Sequence, residues 1–304
     1  MNVPETHRAA EPVSLPRQVL HFAVHLRPHY QLGILSGCYL LGGALAGVMP
    51  WGVWLAQLLN VHLLLFGGAT AYNSYWDRDT GPVGGLRHPP PMRRWMLPAS
   101  LALQGVGLLL AWWLSGFAFA AVYALSMLLF WLYSTPHARW KGAPLKSLAA
   151  IGISTGINGV LMGYLAASPG YVDAWVAAPG ALGATLVILS LYPVSQAYQA
   201  EEDRARGDRT FALVYGPVGV VRFFTGAWGA GVLLLTCAFW PLYPRLWLVV
   251  PLVLAALALG GAIRRVLREK IYRREGYRTV MRIKYGASLF FVALLTAVLL
   301  LRHA

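Results

Sequence analysis

Apolar stretches close to twenty residues long recur from one end of this 304-residue chain to the other. A bilayer core is about 30 Å thick and takes about 20 helical residues to cross. Lipid also forces each spanning segment to satisfy its own backbone hydrogen bonds. These constraints predict an all-α polytopic membrane protein. Length and hydropathy place about nine spans, near 30–49, 51–75, 95–114, 116–134, 147–168, 174–197, 217–240, 246–263 and 284–302. Charged residues make up 12% of the chain, roughly half the share of soluble domains. Most of its surface therefore cannot face water.

The formal net charge of +14 would suit a nucleic-acid partner, but the charges are arranged otherwise. Of the 25 Lys and Arg, all but Arg245 and Arg302 fall at the N-terminus or in alternate connections between spans. Of the eleven acids, only Asp173 lies on the opposite side. That asymmetry is the mark of membrane topology and argues against nucleic acid. It puts the N-terminus and the charged loops in the cytoplasm and the C-terminus outside. Residues 1–27 read as a cytoplasmic segment whose "SLPRQVLHFAVHL" forms an amphipathic helix on the membrane surface. Residues 28–304 read as a single transmembrane domain. Cys38 and Cys237 sit in apolar runs without metal-ligand spacing and read as buried thiols.

Two acidic clusters fall on the cytoplasmic side. In "AYNSYWDRDTG" Asn73 and Asp77 are four apart, sharing a helix face, with Asp79 beyond. In "QAYQAEEDRARGDRT" the residues Gln196, Gln199 and Asp203 follow one helical stripe, with Glu202 beside it. Glu201 and Asp208 point elsewhere or lie past the helix end, which Gly207 marks. Acids meeting amides at helical spacing suit a hard cation: Mg²⁺ takes one or two carboxylates plus substrate phosphate oxygens. The alternative reading is that both clusters are solvated loop charges, although Asp and Glu contribute little to topology. The loop "LYSTPHARWKGAPLKS" offers Tyr133, Arg139, Lys141 and Lys146, cations suited either to an anionic leaving group or to topology alone. Mid-span Asn158 is a candidate to touch a second substrate. Gln57 and His62 read as hydrogen bonds to a neighbouring helix.

These residues resemble the UbiA superfamily of intramembrane prenyltransferases, from Arg27 to the last span. The family's first motif, N-D-x-x-D-x-x-x-D, is here N-S-Y-W-D-R-D-T-G, keeping Asn73 and Asp77, with Ser74 and Gly81 in place of aspartates and Asp79 extra. This form is similar to the dihydroxynaphthoate branch. The second motif, E-E-D-R-A-R-G, resembles the chlorophyll-synthase style and keeps Glu201, Asp203, Arg204 and Gly207. A Y-S-x-P-x-x-x-K pattern matches Tyr133, Ser134, Pro136 and, one residue late, Lys141. Arg27-Pro28 matches the opening of the family's first helix and makes Arg27 a candidate on the acceptor side.

The resemblance implies nine helices around a central cavity and an electrophilic alkylation. Mg²⁺ would be held by Asn73, Asp77, Asp79, Gln199, Glu202 and Asp203, of which Asn73, Asp77 and Asp203 are central to catalysis. The diphosphate of a prenyl diphosphate would lie against Tyr133, Arg139, Lys141 and Arg204. The acceptor would be aromatic or quinonoid, the surroundings membrane lipid, and the location the bacterial inner membrane. A terpene cyclase of the same superfamily, a membrane transporter and a non-catalytic relative are the alternatives. A transporter would carry ionisable groups deep in several spans, whereas here they gather at one face.

Overall fold

A computed structural model describes residues 14–78, 81–240, 246–270 and 276–303. Among them the chain is helical almost throughout, with one isolated bridge, Val83 to Leu86, in place of any strand. Asp79 lies outside the described residues, as do 1–13, Thr80, 241–245, 271–275 and Ala304.

Helix α1 (Leu15–Leu26) opens with a proline in its first turn and stops at Arg27, whose φ of 52° breaks the helical path before Pro28 restarts it. Its inner face docks on the end of the first acidic connection. Trp95 Nε1 donates to Gln18 Oε1 (2.9 Å), and Phe22 packs on Trp95. Burial pushes the His25 imidazole down to about 4, so the neutral ring donates through Nε2 to Pro90 O (2.8 Å). Away from this contact Leu15, Val19 and Leu20 are exposed, apolar surface that an interfacial helix can lay on the membrane.

The following helices are α2 (28–46), α3 (Trp51–Asp77), α4 (Met96–Ser134), α5 (Pro144–Ala167), α6 (Ala174–Ala205), α7 (Phe211–Phe239), α8 (Leu246–Lys270) and α9 (Gly276–His303). Among the described residues seven helices, α3 to α9, are long and apolar enough to cross a membrane, where about nine spans were expected. Two features make the difference. Helix α2 starts on His29, Tyr30 and Gln31, which dilute its hydropathy. The expected third and fourth spans form one continuous 39-residue element, α4, broken at Gly116 (φ 78°). That break reverses the chain. Gln57, Asn60 and Gly68 of α3 meet Ser115, Gly107 and Gln104 in descending order. Asn60, Phe66 and Tyr72 then meet Tyr123, Phe130 and Thr135 in ascending order.

Close crossings hold the bundle together. Helix α2 meets α5 at Gly42 and Gly163, where a β-carbon on either would run into the other helix's backbone. Small residues at such a crossing let backbones approach in lipid, where hydrophobic attraction between helices is missing. The contact is locked by Trp54, whose Nε1 donates to Gly163 O (3.1 Å) while its carbonyl accepts from Tyr39 (2.8 Å). Helices α6 and α7 pack closely through Gly183 and Gly231. Gln57 is buried and donates to Ser115 Oγ (3.0 Å), a hydrogen bond between neighbouring helices. His62 bonds Leu58 O within its own helix. Cys38 is buried and Cys237 exposed; neither is in a disulfide.

Candidate active site

The ends of α3, α4 and α6 and the two segments that follow α4 and α6 converge on one polar niche. Its walls are Asn73, Asp77, Tyr133, Lys141, Gln196, Gln199, Asp203, Arg206, Asp208 and Thr210, enclosing about 50 Å³. The two acidic clusters, over 120 residues apart in sequence, thus meet. One helical turn brings Asn73 Nδ2 to Asp77 Oδ2 (2.9 Å). Ser134 Oγ donates to Asn73 Oδ1 (3.0 Å), fixing the amide so that its oxygen faces the niche.

The second cluster is shaped by a change of helix type. A 3-10 turn at Ala197–Gln199 leads into a short helix, Ala200–Ala205, keeping Gln196, Gln199 and Asp203 on the same side. Gly207, with φ 76°, then folds the chain back: its N–H bonds Arg204 O (3.1 Å) and Asp208 N–H bonds Asp203 O (2.9 Å). The turn returns Asp208 to the niche, so the expectation that it lies away from the cluster is corrected. Left-handed geometry at Gly207 is the reason.

Each acid in the niche meets a cation. Lys141 bonds Asp77 Oδ1 directly and Asn73 Oδ1 at 3.3 Å. Arg139 forks onto Asp208, Nε to Oδ1 at 2.7 Å and Nη2 to Oδ2 at 2.8 Å, and lies 4.0 Å from Asp77. The Asp208 hydrogen bonds hold the Arg139 guanidinium above its ordinary range. Arg206 donates to Asp203 Oδ1 (2.7 Å). Tyr133, half-buried, shares a 2.9 Å hydrogen bond with Tyr192.

Other candidates sit elsewhere. Arg204 is exposed and outside the niche wall, whereas Arg206, three residues after Asp203, faces in. Glu202 accepts from Gly81 N–H (3.0 Å), tethering the first acidic connection to the second. Asn158 is buried on Ser126 Oγ (2.9 Å) and does not line the larger cavity described next. Trp112 and Trp113, 63% and 79% exposed, face outward from the bundle.

Next to the niche opens a chamber of about 930 Å³, walled largely by apolar side chains such as Ile34, Phe130, Leu191, Trp228 and Phe291. Asn73, Tyr133 and Gln199 line both spaces, so niche and chamber share a wall. Arg27 lies at the chamber's polar end, donating to Gly84 O (2.9 Å) and Ser74 Oγ (2.8 Å).

Among the described residues no three His, Cys, Asp or Glu are placed to form a protein-only metal cage. The oxygen donors around this one small space are the carboxylates of Asp77, Asp203 and Asp208 and the amides of Asn73, Gln196 and Gln199. That set fits a Mg²⁺ ion whose remaining ligands come from water and substrate oxygens, the usual habit of this cation.

A helical membrane protein with a charged niche opening into a large apolar chamber is built to hold an amphiphile by both ends. Comparison with known proteins makes the class specific: the chain belongs to the UbiA prenyltransferase family, whose model matches residues 35–283. Over 189 residues it is 30% identical to a digeranylgeranylglyceryl phosphate synthase of Methanothrix thermoacetophila, covering 60% of this chain and 68% of that one. Its fold is shared with a UbiA homologue from Archaeoglobus fulgidus solved with DMAPP and Mg²⁺ (TM-score 0.71, 17% identity, 92% of this chain and 99% of that one). The same homologue with GPP and Mg²⁺ gives a TM-score of 0.70 at the same identity and coverage. The chain is a prenyltransferase embedded in a membrane.

Proposed function

We propose that this protein transfers a prenyl group from a prenyl diphosphate to an aromatic or quinonoid lipid-soluble acceptor, with Mg²⁺ as cofactor. The wall shared by niche and chamber supports this reading most, because it lets one molecule place a diphosphate among cations and its tail among apolar side chains. Each buried CH₂ of that tail contributes about 0.8 kcal/mol.

Asn73, Asp77, Gln199 and Asp203 would hold the metal, with Asp79 and Glu202 completing the set that the motifs imply. Bound there, Mg²⁺ neutralises charge developing on the leaving diphosphate. Lys141 exchanges Asp77 for a diphosphate oxygen, and Arg139 and Arg206 add charge-assisted hydrogen bonds, with Arg204 at the outer rim. The C–O bond breaks with its electron pair going to diphosphate. The apolar chamber keeps bulk water from the allylic cation. A nucleophilic atom of the acceptor then attacks the cation and loses its proton. Arg27 stands where that acceptor would enter; Asn158 would act from behind the wall.

A second acceptor class is favoured by the Methanothrix relative, whose name specifies a glyceryl phosphate product. The reversal at Gly116 and the 19 residues of α2 support nine crossings rather than seven. The charge asymmetry supports a niche and N-terminus on the cytoplasmic side and a C-terminus outside; the membrane would be a bacterial inner membrane, and 28–304 one transmembrane unit.

The deciding experiment supplies purified full-length protein in detergent with labelled geranylgeranyl diphosphate and a panel of aromatic, quinonoid and glyceryl phosphate acceptors, with and without EDTA. Acceptor-dependent product that disappears with EDTA is expected. Product formed without any acceptor would indicate a cyclase instead.

A further inference from the structure

Among the described residues that wall the chamber, Arg27 and Lys284 carry charge and none carries a carboxylate. Arg27 is anchored to Gly84 O and Ser74 Oγ. Lys284, in the first part of α9, differs. Its ammonium donates to Tyr30 OH (2.7 Å), lies 5.3 Å from the centre of the same ring, and has no carboxylate of the described residues within 4 Å. The niche acids are already engaged by Lys141, Arg139 and Arg206. Tyr30 is itself held in place, edge-on against Tyr285 and covered by Gly84 and Gly85. A lysine in an apolar wall is costly unless something compensates its charge. One hydrogen bond to a phenol leaves two N–H directions for another partner.

Resting on the prenyl-transfer reading, we propose that Lys284, braced by Tyr30, is a specificity-determining residue. It receives an oxyanion head group, phosphate or carboxylate, carried by the acceptor. The two anions of the reaction then bind at different places. The diphosphate lies in the niche among Lys141, Arg139 and Arg206, and the acceptor's head lies on the α2–α9 side of the chamber. The acceptor's reactive end is thereby turned towards the shared wall at Asn73 and Tyr133. Neutral lipids of the same length lose this anchor, so the head group and not the tail selects the acceptor.

The test measures binding of dodecyl phosphate, dodecanol and inorganic phosphate to the full-length protein in neutral detergent by calorimetry. The wild type is expected to bind dodecyl phosphate at least about tenfold tighter than dodecanol. Lys284→Met should bring the two within about threefold, while Lys284→Arg keeps the preference. Ser288→Glu places a carboxylate one turn along the same wall, and it carries the test if Lys284→Met fails to fold; it too should abolish the preference. An undiminished preference in Lys284→Met or in Ser288→Glu overturns the proposal. So does inorganic phosphate binding as tightly as dodecyl phosphate in a Lys284-dependent way, because the ligand would then be a free ion.

A parallel titration with Mg²⁺ and inorganic diphosphate, in wild type and Asp77→Asn, separates the two readings. If diphosphate binding depends on Asp77 and the head-group preference ignores Lys284, the Lys284 assignment alone falls. If the preference depends on Lys284 and diphosphate does not bind, the prenyl-transfer reading falls and the oxyanion site stands.

Discussion

Arg139 grips Asp208 with two parallel hydrogen bonds of 2.7 and 2.8 Å across 69 residues of sequence. The pair ties the segment after α4 to the turn after α6, and Arg209 N–H donating to Gly142 O (2.9 Å) reinforces the seam. Through it the two halves of the niche are held in register. Hydrogen bonds to charged groups contribute about 1.5–3 kcal/mol each. Asp208→Asn is therefore expected to lower the thermal midpoint in detergent and to weaken inorganic diphosphate binding by roughly tenfold. Arg139→Ala with Asp208→Ala in one protein should cost less than the two single changes added together.

Removing the niche carboxylates should act on catalysis more than on folding. Asp77→Asn and Asp203→Asn keep shape but delete a charge each, and at position 77 also one of the two acceptor oxygens that Asn73 and Lys141 use. Each is expected to cut prenyl transfer by about a hundredfold or more, with a thermal midpoint lowered no further than in Asp208→Asn. Initial rates against Mg²⁺ concentration will show the loss concentrated in metal dependence.

Acid should loosen α1 before it loosens the bundle. The buried His25 ring titrates near 4 in place of its ordinary 6.5. Between these values the unfolded chain takes up a proton that the folded one refuses. The stability contributed is complete above pH ~6.5 and is lost as pH falls towards ~4. Thermal midpoints recorded across that window should fall in wild type. His25→Gln, which can still donate to Pro90 O, should flatten this part of the decline.

The α2–α5 crossing tolerates no added carbon. Gly163→Ala drives a methyl group into Tyr39 O, and Gly42→Ala drives one into Val160 O. Overpacking of this kind costs about 1–3 kcal/mol, sometimes more. Gly105→Ala and Gly229→Ala, where a β-carbon meets nothing within 4 Å, should be neutral or mildly stabilising. Melting curves of the four variants in one detergent will separate the two classes.

What could be read from the amino acids alone follows the range of the interaction. Asn73 with Asp77, and Gln196 with Gln199 and Asp203, obey helical spacing, so their shared faces were visible before any fold. The break between the spans expected at 95–114 and 116–134 was visible as well and falls at Gly116. Asp208 was not, because its direction depends on the left-handed turn at Gly207, which local periodicity does not encode. Arg206 was overlooked in favour of Arg204, although a separation of three from Asp203 puts it on the inward face. Lys284 looked like one more topology charge, since its chamber position exists only once α9 packs beside α2.

The reversal at Gly116 lies 18 residues from Ser134, about 27 Å along the helix. It joins two antiparallel rods with almost no connecting loop. A soluble reporter or crystallisation chaperone spliced into that tight corner would therefore hang from the far side of the molecule. The chemistry at the other end would be undisturbed, and a featureless membrane protein would gain a handle for imaging.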